Sequence, residues 1–204
     1  RTYYSEDTFY NEVKAALPGN IITFDSNDSK TQLNPSFNTS KWDHLTSLEE
    51  YGEAFCSLFK RSINSSLMNE VRPISAHLSG GLDSSSISVA SSHLFPDKTI
   101  HTLYALTETK SSDEAHFAKI VAKKIGSTHH EVVLSTNYIE SLLNYTSLYG
   151  HPEKMVLAGT FQGSLMSHAK NIGAGTQLIG HPGDSIVGSG FSLIHQEVMN
   201  RNWP

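Results

Sequence analysis

Pro73-Ile-Ser-Ala-His-Leu-Ser-Gly-Gly-Leu-Asp-Ser-Ser-Ser-Ile-Ser-Val-Ala90 is the stretch from which the fold of this chain can be read. Ile74, Ala76 and Leu78 alternate as a short buried strand. From Asp83 the period becomes helical, with Ile87, Ala90, His93 and Leu94 on one face and Ser84 to Ser86 as cap and first-turn residues. Between strand and helix lies Ser79-Gly80-Gly81-Leu82. Two glycines let the backbone turn sharply and approach a bulky ligand. The unpaired N–H groups of the helix start, at the positive end of its dipole, suit an anion. The hydroxyls of Ser79, Ser84 and Ser85 add donors. Asp83 stands where a phosphate would sit, and a bare carboxylate there would repel it. It makes sense chiefly as a ligand of a bridging Mg²⁺.

Three rival motifs are excluded. No Gly-x-x-x-x-Gly-Lys-Ser/Thr occurs, so there is no Walker loop. Gly173-Ala-Gly175 precedes a strand instead of following one, the wrong context for a dinucleotide fingerprint. No Gly-x-Ser-x-Gly elbow occurs, which argues against a serine hydrolase.

Outward from the loop, Pro96-Asp-Lys ends the first helix and Ile100–Leu106 reads as a second strand. Asp113-Glu114 then opens a helix through Ala115, Ala118, Ala122 and Ile125, closed by Gly126 as C-cap. A third strand runs from His129 to Leu134. Helices follow over 137–149 and about 158–172, with the loop Gly150-His-Pro-Glu between them. Thr176–Gly180 is a fourth strand running into His181-Pro-Gly-Asp-Ser-Ile-Val-Gly188. Alternating strands and helices over 73–188 predict a parallel α/β sheet with helices on both faces. Ligands then sit beyond the carboxyl ends of the strands, where strand order reverses. Adjacent first and fourth strands would bring Asp83 and Asp184 together there.

Upstream, Pro18-Gly19 marks a turn and Asn20 to Phe24 is β-prone. Residues 26–45 are polar and read as a linker. Thr46 or Ser47 caps a helix with Glu49 and Glu50 in its first turn. Its apolar face comprises Leu48, Tyr51, Phe55, Leu58, Phe59, Ile63 and Leu67, expected to cover the core.

Bulk composition narrows the function. At 204 residues the chain can bury one good core. A formal net charge of −5, with no run of Lys and Arg, disfavours nucleic-acid binding. Cys56 is the single cysteine, so no intrachain disulfide forms and a reducing, cytoplasmic compartment fits. No apolar run is long enough for a membrane span, and no signal peptide opens the chain. The eleven histidines lack the spacing of a structural zinc site. The chain runs from Arg1 to Trp203-Pro204 without an obvious closing element, so the expectation is a piece of something longer.

Ser79-Gly-Gly-Leu-Asp-Ser-Ser85 is similar to the pyrophosphate loop of the ATP pyrophosphatases, and the wider pattern resembles the asparagine synthetase family. Ile125-Gly-Ser-Thr-His-His-Glu131 matches the family succession after its Asp-Glu helix start. Arg1-Thr-Tyr-Tyr4 and Leu17-Pro-Gly-Asn20 resemble the last strands of the amidotransferase domain that precedes the synthetase domain. That domain's nucleophile is an N-terminal cysteine, absent from this chain. The resemblance implies an adenine nucleotide alpha-hydrolase-like fold with a short N-terminal β remnant. It divides the chain into 1–45, amidotransferase remnant plus linker, and 46–204, a C-terminally incomplete synthetase domain.

The resemblance further implies ATP and Mg²⁺ as cofactors. The activity implied is AMP-forming amide ligation, in which a small aspartate-like carboxylate is adenylated with release of pyrophosphate and then attacked by ammonia or another amine. Pyrophosphate would lie on Ser79, Gly80, Gly81, Asp83, Ser84 and Ser85. Adenine would lie near Leu78, Ala105, Ile179 and Gly180 through backbone groups, and Asp83 and Asp184 would hold Mg²⁺. Two positions depart from the family's Ser-Gly-Glu-Gly-x-Asp-Glu: His181 and Ser185 replace its glutamates. His181, whose imidazole titrates in the neutral range, is the candidate base. The alternatives are a nucleotide-binding module without turnover, or a cyclase of the β-lactam or lasso-peptide type with a different acceptor. An amidotransferase domain in the parent chain is the expected partner, and a homodimer is left open.

Overall fold

The computed structural model describes residues 6–26, 28–33, 39–106, 114–151, 156–181 and 183, with backbone only at 156–159. Arg1–Tyr4, Asp113, Asp184, Ser185 and Gly188 therefore lie outside the described residues. The chain divides into two compact units, Arg1–Glu53 and Ala54–Pro204.

In the first unit β1 (Asn20–Phe24) forms, where β-branched Ile21, Ile22 and Thr23 favour it. It pairs antiparallel with β2 (Ser29–Leu33), from Asn20 opposite Leu33 to Phe24 opposite Ser29. The segment expected as a linker thus contains a strand. Its sequence, Ser-Lys-Thr-Gln-Leu, carries little strand propensity, and the turn supplies what propensity lacks. Asp28 N–H donates to Asp25 Oδ1 at 2.8 Å, and Asp25 N–H to Asp28 O at 3.0 Å, which sets the register.

Helix α1 (Leu48–Leu67) opens with a capping box. Glu50 N–H donates to Ser47 Oγ at 3.1 Å, and Ser47 N–H donates back to Glu50 Oε2 at 3.0 Å. Its apolar stripe is buried only at the C-terminal end. Ile63 and Leu67 meet Ile74, with Phe59, Leu94 and Leu178 packed around them. Leu48, Tyr51 and Phe55 are exposed, so the expectation of a wholly core-covering helix fails over the first turns. Periodicity defines a face but cannot supply the surface that covers it.

The second unit is built on a four-stranded parallel sheet. Its strands are β3 (Ile74–His77), β4 (Ile100–Leu106), β5 (Thr128–Val133) and β6 (Thr176–Leu178), in the order β5-β4-β3-β6. The strand after β5 in sequence therefore returns to the far side of β3, and strand order reverses between β3 and β6. Ile74 pairs with Ile100 on one side and with Thr176 on the other.

Helices cover both faces, as expected. α2 (Leu82–Leu94) and α3 (Ala115–Ile125) lie on one face, where Leu78, Tyr104, Ala115, Ala118 and Ala122 form a core. On the other face α5 (Val156–Asn171) packs Leu165 and Ala169 onto Leu103, Ala105 and Val132, with α4 (Tyr138–Tyr149) beside it. Each such fully buried leucine or isoleucine contributes about 1.5–3 kcal/mol.

The wholly buried stripe of α2 is serine, not the apolar face that its period suggested. Ser84, Ser88 and Ser91 are buried, while His93 is exposed. Ser88 Oγ donates to Ser84 O at 2.9 Å and Ser91 Oγ to Ile87 O at 2.8 Å, so both hydroxyls are satisfied within the helix and the small side chains let it lie close to the sheet. Gly126 closes α3 in the left-handed conformation. No helix among the described residues is long and apolar enough to cross a membrane.

Candidate functional site

Leu78 extends the ladder past β3, its N–H donating to Leu103 O at 2.9 Å, before the chain turns at Ser79-Gly80-Gly81 into α2. Gly80 has φ 94°. A Cβ on it would lie 2.9 Å from Glu114 O and 3.0 Å from Ala118 N, so the loop is pressed against the first turn of α3. Only glycine meets both demands.

Two of the three serines brace this turn. Ser79 N–H donates to Ser84 Oγ at 3.1 Å, Ser84 Oγ donates to Gly81 O at 3.3 Å, and Gly81 N–H donates to Ser79 Oγ at 3.3 Å. The hydroxyls of Ser79 and Ser84 are 3.0 Å apart. Both thus hold the loop's shape. Ser85 differs: its Oγ is buried and has no hydrogen-bond partner among the described residues. Helix α2 begins after Gly81 with no side-chain cap, and its first intrahelical bond is Ser85 N–H to Gly81 O. The N–H groups of Leu82, Asp83 and Ser84 therefore have no acceptor within the helix. An uncapped helix start beside an unpaired hydroxyl is a donor-rich cradle.

The chain leaving β6 comes to the same point. A Cβ on Gly180 would lie 2.9 Å from Ser84 N, and the Asp83 carboxylate occupies the space that a Cβ on Gly183 would need. Gly183 N–H donates to Gly180 O at 2.9 Å, closing a tight turn around His181, which is exposed. The turn after β6 and the loop after β3 thus meet at the reversal of strand order, where ligands bind in open parallel sheets. Asp83 is half-buried there. Asp184, its expected companion, follows Gly183 outside the described residues.

The side chains of Leu78 and Ala105 belong to the cores on opposite faces, so only their backbones are available to a ligand. Ile179 is 41% exposed beside Gly180. Gly183 and the α3 residues that brace Gly80 were missed in the sequence, although Gly183 sits inside the quoted His181–Gly188 stretch. His77 was missed too. It ends β3 half-buried, edge-on to Phe161 with ring centroids 5.2 Å apart. Burial holds its imidazole below the usual range, so it is neutral at pH 7.

A cavity of about 830 Å³ lies apart from this point, between β5, α4 and α5. None of Ser79–Ser85 or Ile179–His181 lines it. Its lining mixes apolar residues such as Val132, Leu134 and Leu148 with hydroxyl and amide side chains, and it includes no uncapped helix start of the kind found at Leu82.

The family model described as asparagine synthase matches residues 54–204. No curated protein sequence matches significantly. Among solved structures, the U34-tRNA thiolase NcsA from Methanococcus maripaludis is similar at 16% identity and TM-score 0.50, over 72% of this chain and 51% of that one. An NMN synthetase from Francisella tularensis is similar at 14% identity and TM-score 0.43, over 65% and 54%. The chain spans about half the length of these structures.

Proposed function

Because the chain belongs to the asparagine synthase family, we propose that it is the nucleotide-binding part of an ATP-dependent carbon–nitrogen ligase that activates a small carboxylate with release of pyrophosphate. The observation that carries this reading is the meeting of the Ser79–Ser85 loop and the Gly180–Gly183 turn at the switch point, with Asp83 between them.

The donor set fits the group. Free N–H groups of α2 and the Ser85 hydroxyl, without a partner among the described residues, suit a pyrophosphate, and the glycines at 80, 180 and 183 let the start of α3, Ser84 N and the Asp83 carboxylate pack close around the loop. When bound, MgATP supplies an electrophilic α-phosphorus and a pyrophosphate leaving group. The α2 N-terminus stabilises negative charge as it develops on the departing phosphates. Asp83, with Asp184, would hold the Mg²⁺ that offsets the repulsion between the Asp83 carboxylate and the phosphates. Backbone groups of Leu78, Ala105, Ile179 and Gly180 receive the adenine. His181, exposed on the turn, takes the proton from an attacking amine. The acid, the amine and any amidotransferase partner belong to the parent protein, and the acid is of the aspartate class by family pattern.

Calorimetry with MgATP and with pyrophosphate, on the wild-type chain and Asp83→Ala, tests the reading. Binding that depends on Mg²⁺ in the wild type and loses that dependence in the variant is expected. Equal Mg²⁺-dependent affinity in both would overturn it. ATP–pyrophosphate exchange by the parent protein with a panel of acids then separates an amide ligase from a module that only binds nucleotide.

A further inference from the structure

His77 ends β3 two residues before the Ser79–Ser85 loop, and no step of the reaction proposed above uses it. Its register partner is Leu103 on β4, and with Leu103 it faces α5, where its ring meets that of Phe161. Leu78, the next residue, turns to the opposite face, the one that α2 and α3 cover. On β6, Leu178 stands opposite Ala76 and packs into the core under α1 and α2. Ile179 follows one step on, beside His77, and is 41% exposed. His77, Phe161 and the exit of β6 thus flank the carboxyl end of β3 on the side away from α2.

Packing does not call for an imidazole at this place. The neighbouring positions on that face, Leu103, Ala105 and Val132, are apolar and buried. His101 and His130, farther back on the same face, bond to each other at 2.9 Å. His77 is half-buried too, but its ring makes no hydrogen bond among the described residues, and burial is the only cause of its lowered imidazole range. A polar group withdrawn from water without a partner weakens the fold. A leucine would fill the space against Phe161 without that cost.

We propose that His77 is a nucleotide-binding residue, whose imidazole hydrogen-bonds the base of the ATP that lays its phosphates on α2. This rests on the nucleotide site proposed above and adds the side chain that holds its nucleoside half. In an open parallel sheet the ligand crevice lies at the reversal of strand order, between helices on opposite faces. A nucleotide lying across the end of β3, with phosphates at the start of α2, therefore has its base toward α5. The rings of His77 and Phe161 stand at 80° to each other, an aromatic corner for a flat group with a polar edge. A neutral imidazole carries one donor and one acceptor nitrogen, so it can meet either kind of group on that edge. His77 thus adds affinity for the nucleoside and does not choose among purines.

The experiment compares MgATP with magnesium triphosphate, which has the phosphates and no nucleoside. Calorimetry on the full chain measures both ligands with wild type, His77→Leu and His77→Gln. Wild type is expected to bind MgATP the more tightly. In His77→Leu, MgATP should weaken about three- to tenfold, the net worth of a hydrogen bond between neutral groups, while triphosphate binding stays unchanged. His77→Gln, which keeps a donor and an acceptor, should recover part of the loss. Urea unfolding supplies the readout that separates binding from packing. The midpoint of His77→Leu should equal or exceed that of wild type, because an unpartnered polar group has been replaced by an apolar one. MgATP binding by His77→Leu equal to that of wild type overturns the role of His77. So does an equal loss for both ligands, or a lower midpoint with the ratio of the two affinities unchanged. Wild type that binds neither ligand overturns the nucleotide site itself, and this inference with it.

Discussion

Replacing Gly80 by alanine tests whether the loop is held by α3 in the shape that a ligand needs. The new methyl would lie 2.9 Å from Glu114 O and from Phe117 Cβ, and 3.0 Å from Ala118 N. Two of these neighbours are backbone atoms of a helix start and cannot swing away. Overpacking of this kind costs about 1–3 kcal/mol. The positive φ of 94° adds about 1–2 kcal/mol for an L side chain. Together the loss is roughly 2–5 kcal/mol, a large share of the ~5–15 kcal/mol that stabilises a typical domain. Gly81 is the internal control. Its φ of −71° and ψ of 164° suit any residue, and its added methyl would meet only Ser79 Oγ, at 3.4 Å. Gly81→Ala should therefore stay within about 0.5 kcal/mol of wild type. Urea unfolding followed by far-UV circular dichroism measures both variants, the midpoint shifting at constant m for Gly80→Ala. A Gly80→Ala midpoint within error of wild type, or an equal loss in Gly81→Ala, would refute the packing argument.

Two further outcomes are expected. The Glu70 carboxylate accepts from Thr176 Oγ1 at 2.7 Å, from Arg72 N–H at 3.0 Å and from Arg72 Nε at 3.2 Å, and these bonds, Thr176 first, hold it at about 2 against an ordinary 4.5. A depressed carboxyl stabilises the fold above its unfolded value and loses that contribution as pH falls from 4.5 toward about 2. Glu70→Gln should flatten the pH dependence of the urea midpoint across that window, and an unchanged slope would exclude the assignment. For His181, His181→Ala should remove amide formation by the parent protein while leaving MgATP binding in place. A variant that keeps activity would end the base role, whereas gain of asparagine synthesis in His181→Glu would make the departure one of substrate choice.

Much of the second unit was legible in the sequence because it rests on local chemistry. The strand, glycine turn and helix of 74–94 follow from a period that changes from 2 to 3.6 across two glycines. β4, α3 with its Gly126 cap, and the start of α5 near Val156 lie within a few residues of where turns and periodicity put them. β2 was not legible, since Ser-Lys-Thr-Gln-Leu becomes a strand only through pairing with β1. Nor was the exposed start of α1, because an apolar stripe says nothing of what covers it.

The candidate site divides in the same way. Sequence alone determined the donor-rich loop at Ser79–Ser85 and the acid at position 83, because a backbone turn and a helix start are properties of neighbouring residues. Tertiary structure decided that β6 returns beside β3, that Gly180 and Gly183 close on α2, that Ser79 and Ser84 brace the loop while Ser85 finds no partner among the described residues, and that His101, His130 and His168, far apart in sequence, stand in one row. These depend on contacts between residues about a hundred positions apart, such as Ile74 with Thr176. Such contacts form only when buried faces choose their neighbours, and no local pattern encodes that choice.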